Sequence, residues 1–64
     1  MDIKDARKRA GLTQVQLSEV TGIDQASISR MENGKQGITL EHLKRIASAL
    51  GVELGELVGD APRH

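Results

Sequence analysis

Three times between Leu12 and Leu43 the same arrangement recurs: an apolar residue, then a side chain able to cap a helix, then a second apolar residue five positions after the first. The pairs are Leu12 and Leu17 around Thr13, Ile23 and Ile28 around Asp24, and Ile38 and Leu43 around Thr39. A side-chain oxygen at a helix N-cap satisfies an N–H of the first turn, and the flanking apolar pair closes over it as a hydrophobic staple. Thr13 with Gln16 also has the form of a capping box. Gly11, Gly22, Gly34 and Gly51 follow the helical segments, where a left-handed residue closes a helix. No segment shows the sustained alternation of a strand. This punctuation predicts helices at about 3–10, 14–21, 25–33, 40–50 and 54–58. The fifth has the least local support. Val52 and Leu57 keep the staple spacing, but Glu53 is a poorer cap than Ser or Asp, and Gly55 lowers helix propensity by about 1 kcal/mol.

An all-α bundle of five helices is therefore expected, with a domain at 1–58 and a tail or the start of a linker at 59–64. With 64 residues, no Cys and no Phe, Trp or Tyr, the core must come from Leu, Ile, Val, Met and Ala. Such a chain buries only about 60% of its unfolded surface. Neither a disulfide nor a thiolate-rich zinc site is available to staple it. The longest apolar runs are far too short to span a membrane or to resemble a signal peptide, so a cytoplasmic location is expected. Net charge is zero, but residues 1 to 52 carry eight Lys or Arg against six Asp or Glu, and the remainder carries the balancing acid. The basic charge is modest, so any nucleic-acid binding must depend on geometry more than on bulk attraction.

The interval between the second and third helices carries the functional argument. A turn of three or four residues containing Gly22 joins two short helices that must cross steeply. The third helix then lies partly outside the core with one face free. Successive residues step by about 100°, which puts Ile28 and Met31 on one side, with Glu32 at its edge. Gln25, Ala26, Ser29, Arg30 and Asn33 fall on an opposite arc of about 140°. Gln and Arg make bidentate contacts to adenine and guanine edges, and a major groove about 12 Å wide admits one such helix.

The stretch LTQVQLSEVTGIDQASISRMEN from Leu12 to Asn33, followed by Gly34 and Lys35, resembles the phage repressor and Cro family of helix-turn-helix proteins. IASALGV, from Ile46 to Val52, is similar to that family's fourth helix. The combination Gln14, Leu17, Gly22, Ile23, Ile28 and Glu32-Asn33-Gly34 is specific. Ser18 departs from it, standing where the family usually has Ala at the tight contact between the two helices.

The resemblance implies a sequence-specific binder of double-stranded DNA that regulates transcription as a repressor. A homodimer is expected because one short helix reads only a few bases and two related by symmetry read a palindrome. It implies base-facing roles for Gln25, Ala26 and Arg30, with Ser29 beside them. It implies phosphate contacts for Gln14, Asn33 and Lys35, with Ser27 in the same group, although capping is the alternative reading of Gln14 and Asn33. Arg7 shares the apolar stripe of the first helix with Ile3, Ala6 and Ala10, and a charge there wants a partner. The positions matching Arg7 and Glu32 form an ion pair in related phage repressors, which implies a structural pair here. Leu54, Leu57 and Val58 offer apolar surface for a homodimer interface.

Two rival readings stay open. One is an antitoxin or other protein-interaction module, with a toxin as partner and DNA binding as autoregulation. The other is the DNA-binding domain of a larger regulator. Chemistry has little support. His42, placed on the exposed side of the fourth helix, and His64 make no metal-ligand spacing, and Gly34-Lys35-Gln36-Gly37 lacks the pattern of a phosphate-binding loop. No enzyme activity, metal or cofactor is expected.

Overall fold

The computed structural model describes residues 2–60, with side chains described as far as Leu57. Four α-helices follow in chain order: α1 (Ile3–Arg9), α2 (Gln14–Thr21), α3 (Gln25–Glu32) and α4 (Leu40–Leu50). A 3₁₀ segment, Leu54–Asp60, closes the chain. Among the described residues there is no strand, and no helix is long and apolar enough to cross a membrane.

Each expected cap is made. The Thr13 side chain accepts from the Gln16 N–H at 3.0 Å while Gln16 reaches back to the Thr13 N–H at 2.9 Å. Asp24 accepts from the Ser27 N–H and Thr39 from the His42 N–H. Asp2 caps α1 in the same way, accepting from Asp5. The staple residues feed the core directly, because an apolar pair that closes over a cap is already turned inward. Leu17, Ile23, Ile28 and Leu43 are buried, and Leu12 and Ile38 pack against them half-buried. Ile3, Ala6, Met31, Ile46, Ala47 and Leu57 complete an entirely aliphatic and thioether core.

The helix ends are equally regular. After α1 the Gly11 N–H bonds to Lys8 and the Leu12 N–H to Arg7; after α3 the Gly34 N–H bonds to Met31 and the Lys35 N–H to Arg30. After α4 the same pattern runs from Gly51 to Ser48 and from Val52 to Ala47. These paired bonds make Schellman closures, with a left-handed residue at their hinge. The turn between α2 and α3 is built differently. Gly22, at φ +75°, donates to Ser18, and the Ile23 N–H donates to the Thr21 hydroxyl. The Ser18 hydroxyl, the departure from the family pattern, donates to the Ile23 carbonyl and ties the turn from the other side.

The five-helix expectation needs correction at its last member. The C-terminal segment is 3₁₀, and Leu57 leaves helical geometry at φ −100°, ψ 23°. Among the described residues no N-cap side chain accepts from its first turn. Glu56 instead reaches back to the Glu53 N–H, and the Glu56 N–H bonds to the Glu53 carbonyl three residues earlier. With Gly55 inside so short a stretch, local propensity is too low for an α-helix. Burial of Leu57 holds the segment in place.

That burial also corrects the assignment of Leu57 to a dimer interface. The side chain has 0% exposure within a single chain, so it has no surface to offer a second one. Leu54 is half-buried; the Val58 side chain lies outside the described residues, as does the tail from residue 61 onward. His42 is half-buried rather than exposed, with Nδ1 closed off from solvent and without a hydrogen-bond partner among the described residues. Leu57→Ala is expected to destabilise the fold by about 2–5 kcal/mol, as truncation of a fully buried Leu does. Chemical denaturation checks this. A variant as stable as the parent would place Leu57 outside the core.

Candidate nucleic-acid interface

Three helices are tied together by one carboxylate. Glu32, at the last turn of α3, receives the Arg7 guanidinium from α1 through two bonds, Nε to Oε2 at 2.7 Å and Nη2 to Oε1 at 3.1 Å. Gln14, at the start of α2, donates its side-chain amide to the same Oε1 at 3.0 Å. Arg7 also donates through Nη1 to the Leu12 carbonyl at 2.8 Å, which pins the α1–α2 connection. The Glu32 side chain is only 1% exposed and that of Arg7 10%.

Burial pushes the Glu32 carboxyl up, but the bonds from Arg7 and Gln14 and the charges of Arg7 and Lys4 together outweigh it, leaving it below its ordinary range. The Arg7 guanidinium is raised, chiefly by its bond to Glu32.

The geometry fixes how α3 presents itself. Ile28 and Met31 enter the core, while Gln25, Ala26, Arg30 and Asn33 are exposed and Ser27 and Ser29 half-buried. Asn33 folds back to donate its amide to the Ser29 carbonyl at 2.9 Å, capping the helix end. Gln14 has one amide N–H on Glu32, which leaves its second N–H unused among the described residues. Lys35 is exposed just beyond the Schellman closure and makes no side-chain bond to the described residues. Ser27 does not suit the phosphate role expected of it. Its one hydroxyl proton is donated to Asp24 Oδ1 at 2.8 Å, so it has none to offer while that bond holds. Asp24 is held below the usual carboxylate range, first by the Ser27 N–H, then by the Ser27 hydroxyl, with a smaller contribution from the Arg30 charge.

Arg30 lies along this surface, its Nε donating to Gln36 Oε1 at 2.8 Å and its Nη2 to the Ser27 hydroxyl at 3.3 Å. Gln36 is the residue that sequence reasoning missed. Its signal was the Asn33-Gly34 helix stop: a Schellman closure turns the chain back, bringing the residue after Lys35 over the last turn of α3. Elsewhere, Lys44 and Arg45 flank a surface groove of about 430 Å³ with Val20, Thr21, Ser48 and Ala49, and Arg45 pairs with Glu41. Among the described residues no three His, Cys, Asp or Glu side chains are placed to hold a metal ion.

The helix-turn-helix family model matches residues 3–57, nearly all of the described chain. The chain belongs to the helix-turn-helix family. The immunity repressor protein of Bacillus phage phi105 is 34% identical over 58 residues, covering 91% of this chain and 40% of the phage protein. Antitoxin PezA of Streptococcus pneumoniae is 34% identical over 59 residues, covering 92% of this chain and 37% of PezA. Control protein C.MunI of a Mycoplasma species is 34% identical over 63 residues, covering 97% and 85%. The helix-turn-helix chain thus spans about two fifths of the length of the phage repressor and the antitoxin. No solved structure matches it significantly.

In this helix-turn-helix domain the Glu32 network sets the angle of α3, and its pH response follows from the depressed carboxyl. A group whose folded-state value is lowered contributes stability above its unfolded value, about 4.3 for Glu, and loses it as pH falls through the folded value. Glu32→Ala should cost about 3–5 kcal/mol at neutral pH, because it leaves the Arg7 guanidinium buried without its partner. Glu32→Gln should be less stable than the parent at neutral pH and show a shallower loss on acidification. Thermal melts from pH 7 to pH 2 check both. Parallel stability profiles for Glu32→Gln and the parent would remove Glu32 from the acid response.

Proposed function

We propose that the chain is a sequence-specific regulator of transcription, of repressor type, that lays α3 into the major groove of double-stranded DNA. One observation carries this reading. The exposed arc of α3 holds Gln25, Ala26 and Arg30 with no acidic side chain between them, on a helix whose other face is locked into the core. Likeness to the phi105 immunity repressor supports the direction of regulation.

Gln25, in the first turn, faces base edges, where its amide matches the adjacent donor and acceptor of adenine. Ala26 offers an apolar contact to a thymine methyl. Ser29 sits lower on the same arc. Gln14, Asn33 and Lys35 border it; the second amide N–H of Gln14 and of Asn33 and the Lys35 ammonium would meet phosphates, which position the helix without reading sequence. A helix this short reads only a few bases, so two copies on an inverted repeat are needed for a useful operator. With Leu57 in the core, the pairing surface of that homodimer must be built from other residues, Leu54 among them. Likeness to PezA favours a second reading, an antitoxin that also binds DNA, and co-purification of a toxin partner would support it.

Selection of bound duplexes from a random pool tests the main reading. The expected product is an inverted repeat with half-site centres about 34 Å apart. Gln25→Ala should cost about 1–3 kcal/mol on the selected operator and much less on a mismatched one. Lys35→Ala should weaken binding to every duplex by a similar factor and lower the salt slope by about one per half-site. Recovery of no preferred sequence would overturn the assignment.

A further inference from the structure

We propose that Arg30 is held to read a single guanine end-on, and that Gln36, supported by Ser27, is the specificity-determining residue that holds it. The proposal rests on the DNA-binding reading above and deepens it.

A guanidinium is a rigid planar fork with five N–H groups. Nε–H and one Nη2–H share its lateral edge, whereas one N–H from each of Nη1 and Nη2 projects in parallel from its end. Arg30 donates Nε–H to Gln36 Oε1 at 2.8 Å and uses Nη2 toward the Ser27 hydroxyl at 3.3 Å. The first contact lies on the lateral edge, and the second is assigned to the Nη2–H that shares that edge. With that assignment the end of the fork keeps its two parallel donors free of bonds to the described residues, on the exposed face of α3.

Two parallel donors match the acceptors O6 and N7 of guanine. Adenine sets an N6 donor beside N7, cytosine presents a donor, and thymine gives one acceptor beside a methyl group. Held this way, Arg30 discriminates; free to rotate, it could reach a phosphate on any sequence.

What holds it is determined on both sides. The Ser27 hydroxyl gives its proton to Asp24 Oδ1, so its lone pairs face Arg30, and Asp24 is itself fixed as the N-cap of α3. Gln36 is half-buried and placed by the Schellman closure, in which the Lys35 N–H bonds to the carbonyl of Arg30 itself. The reading side chain is therefore braced between the first turn of its own helix and the loop that follows it.

The test compares the parent with Arg30→Ala, Gln36→Leu and Gln36→Glu, each first shown to be folded by its thermal melt. Bound duplexes are then selected from a random pool and sequenced. The parent should require a guanine at one position of each half-site, and Arg30→Ala should abolish that requirement alone. Gln36→Leu, which keeps bulk and removes the acceptor, should reduce guanine preference there by about tenfold, the order carried by one misdirected base contact. Preference at the Gln25 position should stay intact. Gln36→Glu keeps the acceptor and should keep the guanine requirement, while its added charge weakens binding to all duplexes alike.

A guanine requirement lost in Arg30→Ala but undiminished in Gln36→Leu would overturn the positioning role and leave the DNA-binding reading standing. A base other than guanine at the Arg30 position would overturn the end-on geometry. If no duplex is enriched, the DNA-binding reading fails, and the brace is judged by NMR of the free protein. A slowly exchanging Arg30 Nε–H resonance in the parent that is lost in Gln36→Leu supports the brace, and its absence in the parent overturns it.

Discussion

Glu32 stands at the C-terminal end of α3, where the partial negative charge of the helix end disfavours another negative charge. Its side chain is almost wholly removed from water, which costs several kcal/mol for an isolated ion. It remains ionised because three N–H donors from two other helices converge on its two oxygens. The rest of the structure depends on this arrangement. Aliphatic contacts are non-directional, and a core of Leu, Ile, Met and Ala would tolerate some rotation of α3 about its axis. Three hydrogen bonds to one carboxylate do not. They fix which face of α3 is outside, and so which side chains can meet a partner.

Economy of connection makes so small a chain sufficient. Leu12 closes α1 as the last residue of its Schellman motif and begins the staple over α2, and its carbonyl receives Arg7. Ile23 follows the left-handed Gly22, receives the Ser18 hydroxyl on its carbonyl and begins the staple over α3. A connection whose residues each serve two helices has little freedom to lose on folding, which matters when burial alone gives a thin margin. The 3₁₀ segment then adds Leu57 as a plug for the core made by α1 and α4. Its own backbone contributes little.

The features legible in the sequence were those governed by local chemistry. Thr13, Asp24 and Thr39 could be read as caps because a cap and its staple lie within six residues. Arg7 could be suspected of needing a partner because it breaks an apolar stripe, whereas Glu32, at the edge of the α3 core face, was pointed to as that partner by the resemblance. What escaped reading depends on distance through space. Leu57 looked like surplus apolar surface because nothing local shows that α1 and α4 leave a gap of its size. The 3₁₀ geometry of its segment was foreshadowed by Gly55 and the missing cap. Ser27 looked free to donate because serine identity does not say which acceptor takes its proton; Asp24, already counted as a cap, takes it. Gln36 was overlooked because it is six residues from Arg30 and meets it only after the chain reverses at Gly34.

The same distinction bears on how a chain with no net charge could hold DNA. Long-range attraction is weak when Asp and Glu balance Lys and Arg, and the salt-dependent share of affinity is then set by the few phosphates that individual side chains meet. Affinity must then come from short-range contacts formed with little loss of freedom. A free arginine carries about 2 kcal/mol of rotamer entropy, most of which is lost when it is fixed against a base. Bracing Arg30 in the unbound protein moves that loss from binding to folding, where Asp24, Ser27 and Gln36 offset it with hydrogen bonds. On the proposed reading, the Glu32 network and the Arg30 brace do the same thing at two scales. One fixes the rotation of the helix and the other the orientation of a side chain upon it. A surface prepared in this way gains its selectivity from geometry, which a near-neutral chain can supply and bulk charge cannot.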